Sequence, residues 1–205
     1  MEWTSLRSGL SYRARWVPIR GYSWLDMEQM IEGERLQLRR SIPEDAEAIA
    51  AYRNDPEVRR FQGWSKTGVE DVRTSIEEMS ARTPGVEDWV QFSVIEMASG
   101  VLVGDVGLSP SRSEPDVIKI GYTIAPAYQG RGYGTEAVTL LIGFVFDELG
   151  PPIVRMYADA DNLASIRVAE KAGMRHMETF EETEDGETWT GVRYEISSGA
   201  GEPHR

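Results

Sequence analysis

Apolar and polar positions alternate over residues 35–40, with Leu36 and Leu38 on one side and Gln37 and Arg39 on the other. That is the pattern of a half-buried strand. Ser41-Ile42-Pro43-Glu44 then has the Ser-x-x-Glu form of a capping box, with a proline suited to a first turn, and predicts a helix to about Arg53. Asn54-Asp55-Pro56 stops it, because a proline disfavours helical geometry in the residue before it. Thr67-Gly68-Val69-Glu70 is a second box, opening a helix through Val72, Ile76 and Met79 that ends before Pro84. Residues 89–97 and 101–108, joined by Ala98-Ser99-Gly100, read as an antiparallel hairpin, and 117–124 as the next strand. The segment 134–149 is apolar on most faces, so it is expected to be a largely buried helix, stopped at Gly150-Pro151. A strand at 153–160, a helix at 163–172 and strands near 174–181 and 188–196 follow, with the acidic run 181–187 as a solvated hairpin turn.

The strand-helix-strand unit across 117–160 requires a parallel pair, since a crossover helix joins strands that run the same way. Its neighbours are hairpins and therefore antiparallel. The expected class is α/β (α+β), a mixed central sheet of six to seven strands with helices on both faces.

Chemistry enters at Tyr128-Gln129-Gly130-Arg131-Gly132-Tyr133-Gly134-Thr135, directly ahead of the long apolar helix. Three glycines at alternate positions let the backbone curl so that N–H groups at a helix N-terminus face a ligand, an arrangement that favours an anion such as phosphate. A Walker loop would need a Lys after the last glycine, where Thr135-Glu136 stands. A dinucleotide fingerprint starting at Gly130 would need a third glycine at Thr135. The same glycines would also suit a turn that only opens a helix.

Composition narrows the classes further. The 205-residue length fits one domain with a real core, and the absence of cysteine removes disulfides, thiolate metal sites and a Cys nucleophile. With two histidines, His176 and His204, a His-based metal centre is not expected. The net charge of −12 disfavours nucleic acid and favours cationic partners. Residues 1–30 differ from the rest: Arg7, Arg13, Arg15 and Arg20 against Glu2, Asp26 and Glu28 give +1 and leave −13 elsewhere. This segment holds Trp3, Trp16 and Trp24 and lacks the apolar core of a signal peptide, and no later segment has the length and apolarity of a membrane span. It reads as a flexible extension, with Met27 or Met30 as an alternative start, or else as an arm that docks its tryptophans on the domain or on a second subunit in a homodimer. Residues 31–197 then form the domain and 198–205 a polar tail, in a cytoplasmic protein.

Several blocks together resemble the GNAT superfamily of acyl-CoA-dependent N-acyltransferases. Gln129-x-x-Gly132-x-Gly134 is similar to its pyrophosphate-binding motif, and Ile120-Gly121-Tyr122-Thr123-Ile124-Ala125-Pro126 to its central strand. Asn162-Leu163-Ala164-Ser165 through Glu170-Lys171-Ala172-Gly173-Met174 resembles its later motif. Arg35–Arg39, Pro43-Glu44-Asp45-Ala46 and Arg53-Asn54-Asp55-Pro56-Glu57-Val58 resemble the branch of ribosomal-protein N-terminal acetyltransferases, and the likeness spans roughly 34–196 in the family's order. The resemblance implies a sheet whose two parallel strands splay to admit the pantetheine arm of acetyl-CoA. It assigns the pyrophosphate to the backbone of Gln129, Gly130, Arg131, Gly132, Tyr133, Gly134 and Thr135, and the pantetheine to Ile124, Ala125 and Asn162. It also makes Phe61 and Trp64 candidates for the acceptor wall.

The acid and base are where this sequence departs from the family. Many relatives carry a Tyr, one residue before the Glu-Lys pair, that protonates the leaving thiolate; here that position is Ala169. Ser165 is the nearest polar substitute, with a local bond near the helix start as its other reading. Where some relatives have a carboxylate base, five residues before the Asn, this chain has Tyr157, and strand alternation puts Asp159 on the same side. Asp105 is a further base candidate. The expected activity is acetyl transfer from acetyl-CoA to a primary amine, on a protein N-terminus or a small molecule. The alternatives are modification of aminoglycosides or other small amines, or CoA binding with little turnover. Glu70, Asp71, Glu77 and Glu78 suggest an acidic rim that would concentrate cationic acceptors.

Overall fold

The computed structural model describes residues 3–4, 13–18, 27–65, 67–184 and 187–198. Alternation in the strands divides the molecule into two unequal layers. In β5 (Val90–Glu96), Val90, Phe92 and Val94 turn to one face and are fully buried, while Gln91 and Ser93 turn to the other. The apolar face carries α4 (Tyr133–Phe144) and α5 (Leu163–Lys171), and Phe92 meets Phe144 edge to face at 6.0 Å. Fully or nearly fully buried Ala137, Val138, Leu141 and Ile142 make α4 the centre of this core, each larger side chain contributing about 1.5–3 kcal/mol of burial. The opposite face carries α1 (Ala46–Arg53) and α3 (Val69–Ser80) over a smaller cluster of Ile49, Tyr52, Val72 and Ile76.

The described strands form one ten-stranded sheet. They are β1 (Trp3–Thr4), β2 (Arg13–Pro18), β3 (Met27–Glu32), β4 (Leu36–Arg40), β5, β6 (Val101–Pro110), β7 (Val117–Ile124), β8 (Ile153–Asp159), β9 (Arg175–Glu184) and β10 (Glu187–Ser197). Their spatial order is β1 to β8 in sequence, then β10, then β9. The expectation of six to seven strands is thus too low, because β1, β2 and β3 add to the sheet ahead of residue 33. Ile31 shows why β3 belongs there: it pairs with Leu38 and is wholly buried. The side chains of Trp3, Trp16 and Trp24 and the tail from residue 199 lie outside the described residues.

Helix starts shift by one residue from the sequence reading. The first turn is a 3-10 turn, Pro43–Asp45, and the carboxylate that accepts the Ile42 N–H (3.0 Å) is that of Asp45. Ser41 spends its hydroxyl on Ser93 instead. At α3, Asp71 rather than Glu70 accepts the Gly68 N–H, and Thr67 bonds Asn54. The short α2 (Pro56–Arg59) follows the predicted break at Asn54-Asp55. Beyond Phe144 the long helix loosens into a π turn, Val145–Leu149, and ends at Gly150 in the left-handed region (φ +72°).

Among the described strands the one parallel pairing is β7 with β8, and it is short. The ladder runs from Val117↔Ile153 to Ile120↔Met156, although β7 continues to Ile124 and β8 to Asp159. Past that point the strands part, which opens the sheet beside the N-termini of α4 and α5.

Candidate active site

A groove of about 420 Å³ occupies this opening. The loop from Gln129 to Thr135 lines one side, Tyr122, Thr123 and Ile124 of β7 the floor, and Asn162, Ser165, Val168 and Lys171 the α5 side. Glu57, Val58, Phe61 and Gln62 close the far wall.

The loop is shaped to receive an anion. Gly130 (φ +74°) and Gly132 (φ +82°) hold left-handed conformations that other residues adopt only under strain. Gly132 is the N-cap of α4 and offers no side-chain acceptor, and the first helical bond is Glu136 N–H to the Gly132 carbonyl at 3.1 Å. Among the described residues, no protein acceptor meets the N–H groups of residues 130 to 135. Unpaired donors at the positive end of a buried helix fit the pyrophosphate of a CoA molecule.

Other side chains hold that loop in place. Gln129 donates its side-chain amide to the Ile124 carbonyl at 2.9 Å, tying the loop to the end of β7. Arg35 reaches it from a position 101 residues away, pairing with Glu136 (2.8 Å), donating to the Arg131 carbonyl (3.0 Å) and lying over the Tyr133 ring. No local sequence signal marks Arg35 for this role. Arg131 folds back along the loop, donating to the Ala127 carbonyl and covering the Tyr128 ring, and does not line the groove. Arg167 and Lys171 supply cationic charge to the groove from α5.

The backbone expectation for β7 shifts by one residue. Ala125 donates its N–H to Val103 of β6 (2.9 Å), so this residue is committed to the neighbouring strand. In a strand, alternate residues turn their N–H and C=O groups to opposite neighbours. The residues facing the opening past the ladder are therefore Tyr122 and Ile124.

Asn162 is the N-cap of α5, accepting the Ser165 N–H at 3.1 Å. Its neighbour Ser165 enters the groove and accepts a hydrogen bond from the Tyr122 hydroxyl at 3.3 Å. Burial raises the Tyr122 phenol above its ordinary value. Ala169 is wholly buried.

Two of the three catalytic candidates, Tyr157 and Asp159, are not among the residues that line the groove. Tyr157 packs edge-on against Phe180 (6.0 Å between ring centres), and its hydroxyl meets Arg155, whose guanidinium is bound by Glu114 and Glu195. Asp159 closes the turn before α5 by accepting the Asp161 N–H at 2.7 Å. Alternation does put both on one side of β8, but that side is occupied by the Arg155 ion pairs. Asp105 stands beside Thr123 in the β6–β7 register, yet it is sealed behind the groove wall, where Tyr52 donates to it and Arg53 lies 3.7 Å away. Burial pushes its carboxyl above the usual range, and the neighbouring Arg53 and Tyr52 offset only part of that. Phe61 lines the groove as expected, whereas Trp64 lies under the Arg53 guanidinium at 4.5 Å. The carboxylates of α3 do not reach the groove: Glu70 pairs with Arg73 on the surface and Asp71 caps its own helix. Glu57 is the acidic residue on the groove wall.

Comparison with known proteins agrees with this architecture. Residues 35–175 match the acetyltransferase (GNAT) domain family. The chain is 28% identical over 132 residues to the FsC-acetyl coenzyme A-N(2)-transacetylase of Aspergillus fumigatus, covering 62% of this chain and 56% of that one. It therefore spans little more than half of that relative's length. Among solved structures, a GNAT-family acetyltransferase from Bacillus anthracis superposes with a TM-score of 0.74 at 26% identity, covering 82% of this chain and 98% of that one. RimL, a ribosomal-protein alpha-N-acetyltransferase in complex with coenzyme A, shares the fold at a TM-score of 0.71 and 16% identity, over 82% and 97% of the two chains. With the family matched across more than half of its length, the chain belongs to the GNAT acetyltransferases.

Proposed function

We propose that this protein transfers an acetyl group from acetyl-CoA to a primary amine, with donor and acceptor bound together. The observation that carries the reading is the row of unpaired N–H donors at the α4 N-terminus, opening into the gap where β7 and β8 separate. The acetyl-coenzyme A named in the Aspergillus relative and the coenzyme A bound to RimL support the choice of donor. Residues 31–197 are taken as the catalytic domain, acting in the cytoplasm.

When bound, acetyl-CoA supplies an activated thioester. The N–H groups from Gly130 to Thr135 would hold its pyrophosphate, with Arg167 and Lys171 adding positive charge along the groove. Tyr122 and Ile124, on the strand edge past the ladder, and Asn162 on α5 would border the pantetheine arm. Val58 and Phe61 on the far wall give the acceptor an apolar surface, with Glu57 as its carboxylate, suited to a cationic amine that loses its proton before attack. Without cysteine in the sequence, direct attack by the amine is simpler than a Cys acyl-enzyme. A protein N-terminus, as for RimL, and small amines both satisfy these requirements.

The experiment is thiol release from acetyl-CoA across a panel of peptides and small amines. Sustained release with one acceptor class supports the enzyme and names its substrate. Tight CoA binding with no release from any acceptor would favour a CoA-binding module, the reading that Ala169 supports by leaving α5 without the family's tyrosine. Ser165→Ala is expected to lower kcat about tenfold with little change in acetyl-CoA affinity, because its contact strengthens only as charge develops on sulfur. Steady-state kinetics beside direct CoA binding separates the two quantities.

A further inference from the structure

Two hydroxyls meet inside the groove from elements 43 residues apart, Tyr122 of β7 and Ser165 in the first turn of α5. Neither position is left to chance. The Tyr122 ring passes close over Gly134, where a Cβ would come within 3.0 Å of its Cε2, and the same point lies 3.3 Å from Val168. Glycine at that helical position is what admits the ring. Ser165 is fixed by its own N–H, held on the Asn162 side chain.

The direction of the bond matters more than its existence. A serine hydroxyl has one hydrogen and two lone pairs. The phenol is the stronger acid of the two hydroxyls and the serine oxygen the better acceptor. With Tyr122 donating to Ser165 Oγ, the Ser165 hydrogen therefore stays available for another acceptor, and among the described residues none is seen to take it. Both side chains line the groove.

We propose that Tyr122 is a positioning residue, whose hydroxyl donates to Ser165 Oγ and so turns the Ser165 hydrogen toward the CoA sulfur, stabilising the thiolate as it leaves. This rests on the reading that CoA lies in this groove. The pair would replace, from a different strand, the hydroxyl that Ala169 does not provide. No proton needs to leave Tyr122, since the device works by hydrogen bonding alone. Burial favours the protonated phenol, which preserves the donor at the mildly alkaline pH where an amine acceptor is neutral.

The test follows the ionisation of the thiol of CoA itself when bound, read by ultraviolet absorbance of the thiolate across pH. It is made in the wild-type protein, Tyr122→Phe, Ser165→Ala and the double variant, with CoA affinity measured by calorimetry. The wild-type complex is expected to ionise its thiol about one pH unit lower than either single variant. The double variant should shift no further than a single one, since both act through the same hydrogen. With the best acceptor, Tyr122→Phe should lower kcat several-fold at unchanged KM for acetyl-CoA. Phenylalanine keeps the ring against Gly134, so a thermal unfolding midpoint near wild type is expected; should that variant fail to fold, Tyr122→Leu removes the same hydroxyl and must give the same shift. Equal thiol ionisation in wild type and variants would overturn the proposal, as would independent, additive shifts in the double variant. A wild-type protein that binds no CoA would instead overturn the functional reading beneath it.

Discussion

Gly134→Val is expected to weaken CoA binding about a hundredfold or more, each tenfold being about 1.4 kcal/mol, and to lower stability as well. The position faces two ways. Its N–H belongs to the row of donors at the α4 N-terminus, so a branched side chain there would crowd whatever those donors hold. A Cβ at this point would also lie 3.0 Å from the Tyr122 ring and 3.3 Å from Val168, before the two methyl groups of valine are added. Overpacking of that kind costs about 1–3 kcal/mol. From the sequence alone the glycine looks like a ligand position whose substitution would spare the fold. The packing between α4, β7 and α5 couples the two effects. Calorimetry with CoA and urea denaturation, run on the same preparation, measure both. Unchanged CoA affinity in the folded variant would remove the phosphate-loop assignment, and an unchanged unfolding midpoint would show that the glycine serves only the ligand.

What the sequence revealed is what short-range chemistry specifies. The glycines ahead of an apolar helix, the helical segment from residue 163 and the crossover connection are local patterns, and the loop, the start of α5 and the β7–β8 pair stand where those patterns put them. The losses come from long-range pairing. Arg35 and Glu136 meet across 101 residues and Tyr122 and Ser165 across 43, and nothing near either member announces its partner. Tyr157 and Asp159 show a subtler limit. Strand period placed them on one face, but only the fold reveals that Arg155, Glu114 and Glu195 occupy that face. The caps show competition between equivalent groups. Ser41 and Glu44 satisfy the capping pattern, yet Ser93 lies close enough to claim the serine, and Asp45 closes the turn while also binding Arg39.

Asp105→Ala is expected to destabilise the fold by about 3–5 kcal/mol, the usual cost of removing one partner from a buried ion pair. The carboxylate is enclosed between β6 and α1, with the Tyr52 hydroxyl donating to it and Arg53 at 3.7 Å. Arg53 is itself almost buried, stacked on Trp64 and bonded to Gln91, and its Nε already lacks a partner. Without the carboxylate, a guanidinium and a phenol are stranded in a low-dielectric layer. Asp105→Asn is the informative companion, since it keeps an acceptor for Tyr52 and removes only the charge. Burial holds the Asp105 carboxyl above its unfolded value, so the folded state binds a proton more readily than the unfolded one. Stability contributed by that proton is present below the unfolded carboxylate range and is lost as pH rises through the folded value. The wild-type protein should therefore lose part of its advantage over Asp105→Asn as pH climbs from about 4 upward. Urea denaturation of both proteins at several pH values measures that difference directly. An advantage that widens with rising pH would mean that Arg53 outweighs burial and that the carboxylate is held ionised.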